Sequence, residues 1–408
     1  MIAGPAQRSP PPSSPLARPA PSGGGQLLPQ LDALRGAAIL AVFVQHLGDR
    51  FAPFVEARIE ARVPAAIVPW LLTVFHHAWW GVDLFFVLSG FSLAQAYVRA
   101  FDRGAEPTPP ALFLRRRALR ILPAFYAALA VMIATHPSWI LRPGFPAALA
   151  ANLTLLQGYV QPGGLVFIGA AWSLSTEAHF YLLLPWMARP LLAKAPSSPA
   201  RRLLVLAAIC LFTWLLRASF HAYFLDPGVH TALLEDSQRR WLPSRLDQFA
   251  LGAFAAALHA DLQRSPRAAM IRRTAPLAFL VSLLALPITF RLEGALYLSP
   301  GGSWPYASMS LATAALVLSA SLCEGRSLRL IAPRPLQALG VVSYGVFLYH
   351  QLALGLVGSA LGKDSATWLS LFANGALALA LSALAGLASW TWIEKPLLAR
   401  AVTRPSRL

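Results

Sequence analysis

Apolar residues dominate this chain in runs of about 18 to 23 residues, long enough as helices to cross a hydrocarbon core of about 30 Å. The runs fall at roughly 31–48, 79–98, 113–135, 172–189, 202–221, 244–261, 274–290, 304–323, 337–358 and 368–393. They lack the strict alternation of barrel strands, and in lipid every backbone polar group must find its partner within the chain. The pattern predicts an all-α, polytopic membrane protein with about ten transmembrane helices. Two shorter stretches, 64–75 and 145–157, contain Pro or polar residues and read as interfacial or re-entrant pieces. Residues 1–26 are rich in Pro, Ser and Gly and hold no apolar run, so they read as a disordered cytoplasmic tail, not a signal peptide. The expected organisation is that tail, one transmembrane domain over 27–396, and a short basic cytoplasmic tail over 397–408. No internal repeat and no appended soluble domain is visible.

Composition agrees. The 408 residues are 56% hydrophobic and 12% charged, whereas soluble domains run near 25% charged. A formal charge of +17 could indicate nucleic acid, but its distribution is that of a membrane protein. With the N-terminus cytoplasmic, 23 of the 34 Lys and Arg fall in cytoplasmic segments and 9 on the far side, with Arg35 and Arg217 inside spans. The positive-inside rule then puts both termini in the cytoplasm and excludes a nucleic-acid partner. Cys210 and Cys323 both lie in apolar runs, so no disulfide framework is implied.

Within this apolar background the charges stand out. Arg35 and His46 flank ten uncharged residues, Gly36 to Gln45. On a helix they lie about 20° apart around the axis and about 16 Å apart along it. An ionisable residue in a span points to function by default. A neutral imidazole can accept a proton from an attacking hydroxyl, although His46 could also be a packing histidine. Asp32 could cap this helix or pair with Arg35. In the run Arg115-Arg116-Arg117-Ala118-Leu119-Arg120, the last arginine lies i+3 and i+4 from two others, and such a cluster could fork onto phosphates or serve topology and lipid headgroups. Glu177, one turn into the span that opens Trp172-Ser173-Leu174-Ser175-Thr176, needs an imidazole or guanidinium partner to stay ionised. It could orient His46 or pair with an arginine.

Weaker candidates line up behind these. Asp83 opens the second span and could cap it. Arg245 and Asp247 open the sixth, followed by Gly252 at a position suited to close packing. Ser173 and His350 could line the same cavity, or His350 could bond a carbonyl of its own helix. His76-His77 with Trp79-Trp80 suggest an interfacial belt. Adjacent histidines are poorly spaced for one metal, and no metal site is expected.

These residues fall in motifs that resemble the acyltransferase family 3 membrane proteins, which O-acylate sugars and other hydroxylated molecules at bacterial surfaces. The motifs run in order from Leu31 to about Pro396: Arg35-x10-His46, GVDLFFVLSGF, RRRALRILP with Arg117-x-x-Arg120, WSLSTE, RLDQFALG, SYGVFLYH and WIEKP. The resemblance implies His46 as catalytic base, Glu177 as the motif acid, and Arg35, Arg117 and Arg120 in handling an acyl-CoA donor, most readily acetyl-CoA. It also implies a carbohydrate or other hydroxylated acceptor, a bacterial inner-membrane location and no permanently bound cofactor. Two departures are visible. The WSLS segment of the family continues with two acids and Gln, whereas here Glu177 is followed by Ala178 and His179. Phe347 stands where the family often has Tyr. The second acid is therefore expected to be dispensable. Direct transfer and an acyl-His46 intermediate both remain open. Competing readings are a proton-coupled transporter, against which the lack of an inverted repeat counts, and a non-catalytic scaffold.

Overall fold

The computed structural model describes residues 28–160, 165–193, 199–224, 240–296, 304–361 and 367–403. Among them, ten helices of 18 residues or more match the ten expected spans one for one. They are α1 (Pro29–Arg62), α2 (Trp80–Asp102), α3 (Pro110–Thr135), α4 (Trp172–Leu192), α5 (Pro199–Phe224), α6 (Leu246–Gln263), α7 (Ala268–Leu296), α8 (Trp304–Leu322), α9 (Arg334–Leu361) and α10 (Trp368–Ser389). No strand occurs among the described residues. Seven of the ten are long and apolar enough to cross a membrane by length and hydropathy. The remaining three are α4, α6 and α8. In α4 and α6 the polar residues that lower hydropathy face inward: Ser173, Ser175, Thr176, Asp247 and Gln248 are all buried.

The centre of the bundle is α2 against α6, with α1, α4 and α8 around them. Phe249 of α6 stacks on Phe180 of α4 at 4.3 Å and meets Phe86 of α2 at 4.7 Å. Helices in lipid gain little from hydrophobic burial against one another, so close backbone approach has to hold them together. Gly90 of α2 sits on the Phe249 carbonyl of α6, and Gly252 of α6 on the Val87 carbonyl of α2. The same reciprocal arrangement joins α1 to α9, where Gly36 abuts Leu336 and Gly340 abuts Asp32. A methyl group at any of these four positions would overlap a backbone carbonyl. Gly252→Ala should therefore destabilise the fold by about 1–3 kcal/mol, read as a lower melting temperature in detergent. An unchanged melting temperature would show that α2 and α6 can separate without cost.

Outer helices turn leucines to the bilayer: Leu204 and Leu211 of α5 and Leu277 and Leu284 of α7 are each more than half exposed. One end of the bundle is knitted by ion pairs, Arg264–Asp102 at 2.5 Å, Arg202–Asp261 at 2.6 Å and Arg272–Glu324 at 3.3 Å. These join segments that the charge count assigns to one side of the membrane.

Several elements differ from expectation. Helix α1 does not stop near residue 48 but runs through Pro53 to Arg62. Its 34 residues span about 51 Å, more than any bilayer core, so its last turns project beyond the apolar slab. The stretches at 64–75 and 145–157 contain the short helices Val68–His76 and Phe145–Leu153. Of the four residues expected in an interfacial belt, His77 is buried and stacks on Phe290 at 4.9 Å, and the half-buried Trp80 donates its indole N–H to Thr313, whereas His76 is exposed and Trp79 half-buried. The tail at 1–26 lies outside the described residues. The start of the other expected tail is helical, Lys395–Thr403, after a π-helical turn at Trp390–Glu394.

Candidate active site

Helix α1 carries Arg35 and His46 into two different cavities. The first, of about 120 Å³, is lined by Arg35, by Ser89 and Ser92 of α2, Arg117 and Arg120 of α3, Ser173, Glu177 and Tyr181 of α4, and Tyr344 and Phe347 of α9. Arg35 donates to Asp32 at 2.7 Å and to Ser92 at 2.5 Å. The hydroxyl of Ser89 donates to the Glu177 carboxylate, and the Tyr344 hydroxyl donates to the Ile121 carbonyl at 2.9 Å, tying α9 to the arginine-bearing turn of α3. Among the described residues the buried Nε of Arg117 has no hydrogen-bond partner. Three guanidiniums face two carboxylates, Asp32 and Glu177, leaving one net positive charge. Excess charge held away from water is costly unless an anion completes it, and guanidinium groups fork onto phosphate or carboxylate.

The second cavity, of about 320 Å³, is lined by Val42, Gln45 and His46 of α1, Trp79, Val82, Ala170, Trp172, Arg240, Arg245 and Tyr306. His46 Nδ1 lies 2.8 Å from the Val42 carbonyl and 3.4 Å from Nε2 of His350, with ring centroids 4.9 Å apart at 67°. His350 is fully buried and holds its own Nδ1 2.7 Å from the Phe347 carbonyl. Of its two readings the carbonyl bond holds: His350 lines neither cavity, but from behind the wall it meets His46.

A thin wall separates the two cavities. Trp172 borders the histidine cavity and Ser173 the arginine cavity, and Phe86 meets the Trp172 ring edge-on at 6.1 Å. The first turn of α4 is therefore the partition.

Glu177 is not the partner of His46. It shares one helix face with Ser173 and Tyr181, four residues to either side, and that face opens into the arginine cavity. Asp83 is not a cap and lines neither cavity. It lies 1% exposed, 2.8 Å from Arg245. Beside it Asp247 takes an ion pair from Arg217 and a hydrogen bond from the Trp214 indole at 2.9 Å. This buried row of alternating charge holds Arg245 where it edges the histidine cavity, 6.0 Å from Trp172 and 5.6 Å from Tyr306. Sequence reasoning did not single out Tyr306 or Arg240. Neither lies in a motif that marks chemistry, and only the fold brings them to the cavity of His46.

A cationic cavity and an imidazole-bearing one thus meet along a single helix. The family model described as an acyltransferase domain, Acyl_transf_3, matches residues 28–387. The chain belongs to this family. This acyltransferase is 29% identical over 300 residues to a protein named as a membrane-bound transacylase, BcsY, of Komagataeibacter xylinus, covering 69% of this chain and 68% of that one. It is 25% identical over 348 residues to a protein named as a peptidoglycan O-acetyltransferase, YrhL, of Bacillus subtilis, covering 79% of this chain and 48% of that one. The chain thus spans about half the length of that second relative. It is also 29% identical over 163 residues to protein 2 of the picA locus of Rhizobium radiobacter, covering 38% and 71%. No solved structure matches it. The protein is a multi-pass membrane acyltransferase.

Proposed function

We propose that this acyltransferase moves an acyl group, most readily acetyl, from cytoplasmic acyl-CoA to a hydroxyl of a glycan or other hydroxylated acceptor, with His46 as general base. The observation that carries this reading is the division of α1 between a cavity with excess positive charge and a cavity holding an imidazole. Supporting it, basic residues are concentrated in the segments at the arginine end, which the positive-inside rule favours for the cytoplasm, where acyl-CoA is made; the membrane in this reading is the bacterial inner membrane.

In this reading Arg117 and Arg120 hold the donor phosphates. The pantetheine arm runs past Arg35 and the Glu177–Ser89 pair toward the first turn of α4. Its thioester then lies at the partition between the cavities. The acceptor enters the histidine cavity, whose Trp79, Trp172 and Tyr306 walls suit the apolar face of a sugar ring. His46 removes the hydroxyl proton as the oxygen attacks the thioester carbonyl. The C–S bond then breaks, the ester leaves with the acceptor, and the proton passes from the imidazolium to the CoA thiolate. Attack is direct, with no acyl-enzyme.

The test is purified protein in lipid nanodiscs with labelled acetyl-CoA and candidate acceptors, read as CoA release and alkali-labile label on acceptor. Wild type should give both. Arg117→Ala with Arg120→Ala should raise the KM for acetyl-CoA about tenfold or more and leave the acceptor KM in place. Equal donor KM in the double variant would remove the phosphate assignment, and no label transfer to any hydroxylated acceptor would remove the proposed function.

A further inference from the structure

His46 and His350 come from α1 and α9, 304 residues apart in sequence. Each Nδ1 faces a main-chain carbonyl, Val42 for one and Phe347 for the other. A carbonyl only accepts, so each ring carries its hydrogen on Nδ1 and its lone pair on Nε2. The Nε2 lone pair of His350 then points at the Nδ1–H of His46 across 3.4 Å. That hydrogen is shared between the Val42 oxygen and the His350 nitrogen, while His46 Nε2 makes no hydrogen bond among the described residues.

The carbonyl contact alone is ordinary. His77 and His179 make the same bond to the residue four earlier in their helices. What sets His46 apart is a second imidazole, wholly buried, whose acceptor nitrogen is directed at it. A histidine that served packing only would need no more than its own carbonyl.

We infer that His350 is a positioning residue for His46, fixing its ring plane and keeping its lone pair on Nε2. This rests on the reading of His46 as the base. His350 does for this imidazole what a carboxylate does in a hydrolase triad, but as a neutral acceptor. As His46 takes the hydroxyl proton on Nε2, its Nδ1–H becomes a stronger donor, and the His350 lone pair receives it. The proton stays on His46, and His350 remains neutral. A neutral partner suits this depth, because the carboxylate nearest in sequence expectation, Glu177, is committed to the arginine cavity. The other charged and titratable groups on the cavity of His46 are Arg240, Arg245 and Tyr306 across it, with Gln45 beside His46 tied to Asp49 on α1 at 2.8 Å.

Two substitutions separate positioning from packing. His350→Leu keeps an apolar side chain and removes the acceptor, while His350→Gln places an amide oxygen near the Nε2 position. In nanodiscs, His350→Leu is expected to lower kcat about 10–100-fold, leave the donor KM unchanged and move the acid limb of kcat/KM to lower pH. His350→Gln should recover most of the loss. Nitrogen-15 spectra of histidine-labelled protein, with the His46 signals assigned by difference against His46→Ala, give a readout that needs no turnover. Wild type should show His46 protonated on Nδ1, and His350→Leu should show mixed tautomers or broadening. The inference is overturned if the His46 spectrum and the pH profile are the same in His350→Leu and wild type. If His46→Ala transfers acyl groups at the wild-type rate, the base assignment fails by itself, and the spectra still decide whether His350 controls the His46 tautomer.

Discussion

Replacing His46 with alanine is expected to cut acyl transfer by about 100- to 10,000-fold, the range a positioned general base supplies. At the upper end this corresponds to about 5 kcal/mol of transition-state stabilisation. The affinity for acyl-CoA should not change, because the proposed phosphate site, Arg117 and Arg120 of α3, lies in the other cavity, whose α1 residue, Arg35, is about 16 Å along the helix from the imidazole. Single-turnover measurement with labelled acetyl-CoA separates the two quantities. A loss of donor binding together with turnover would mean that α1 shifts as a whole and that the variant reports on packing. Retention of transfer would place the base elsewhere. The same experiment addresses the covalent alternative: rapid quenching of wild type should leave no label on the protein, whereas an acyl-His46 intermediate would trap it there.

The ten long helices were legible because each is an apolar run bounded by polar residues, and without the alternation of barrel strands a helix is the shape such a run takes in lipid. The axial register within a span was legible for the same reason. Arg35 and His46 do lie along one helix at separate depths, in separate cavities. Gly252 was legible as a packing position because small residues mark close helix approach, and it does seat on the Val87 carbonyl. What periodicity does not encode is which helix faces which. Glu177 was assigned to His46 on chemical need alone, but azimuth decides, and its face carries Ser173 and Tyr181 into the arginine cavity. His350 could be read equally as a cavity residue or as a donor to a carbonyl of its own helix, since nothing in its motif reveals the approach of α1. Asp83 resembled a cap by position in the chain, yet the N-cap is Trp79 and makes no side-chain bond. The carboxylate serves α6 instead. The extension of α1 to Arg62 was missed because hydropathy marks only the apolar slab, and a helix leaving it can continue as long as water or neighbours satisfy its polar face.

Asp83→Ala is expected to destabilise the protein by about 3–5 kcal/mol, the cost of removing one partner from a buried ion pair. Asp83 and Arg245 have side chains 1% and 7% exposed and lie 2.8 Å apart, so the arginine would keep its charge at depth without that carboxylate. Unfolding in mixed detergent should show the loss directly. Asp83→Leu combined with Arg245→Met should recover most of the stability, because two apolar side chains of similar size remove the desolvation penalty along with the attraction. The neighbouring Arg217–Asp247 pair, with its Trp214 contact, remains in both variants and keeps α5 on α6. Recovery would not extend to function. Arg245 borders the histidine cavity beside Trp172 and Tyr306, so the double variant should fold, bind acyl-CoA normally and show a raised acceptor KM. If Asp83→Ala melts like wild type, the pair contributes nothing to the fold. If the double variant is also fully active, Arg245 touches no acceptor, and the row of buried charge is structural alone.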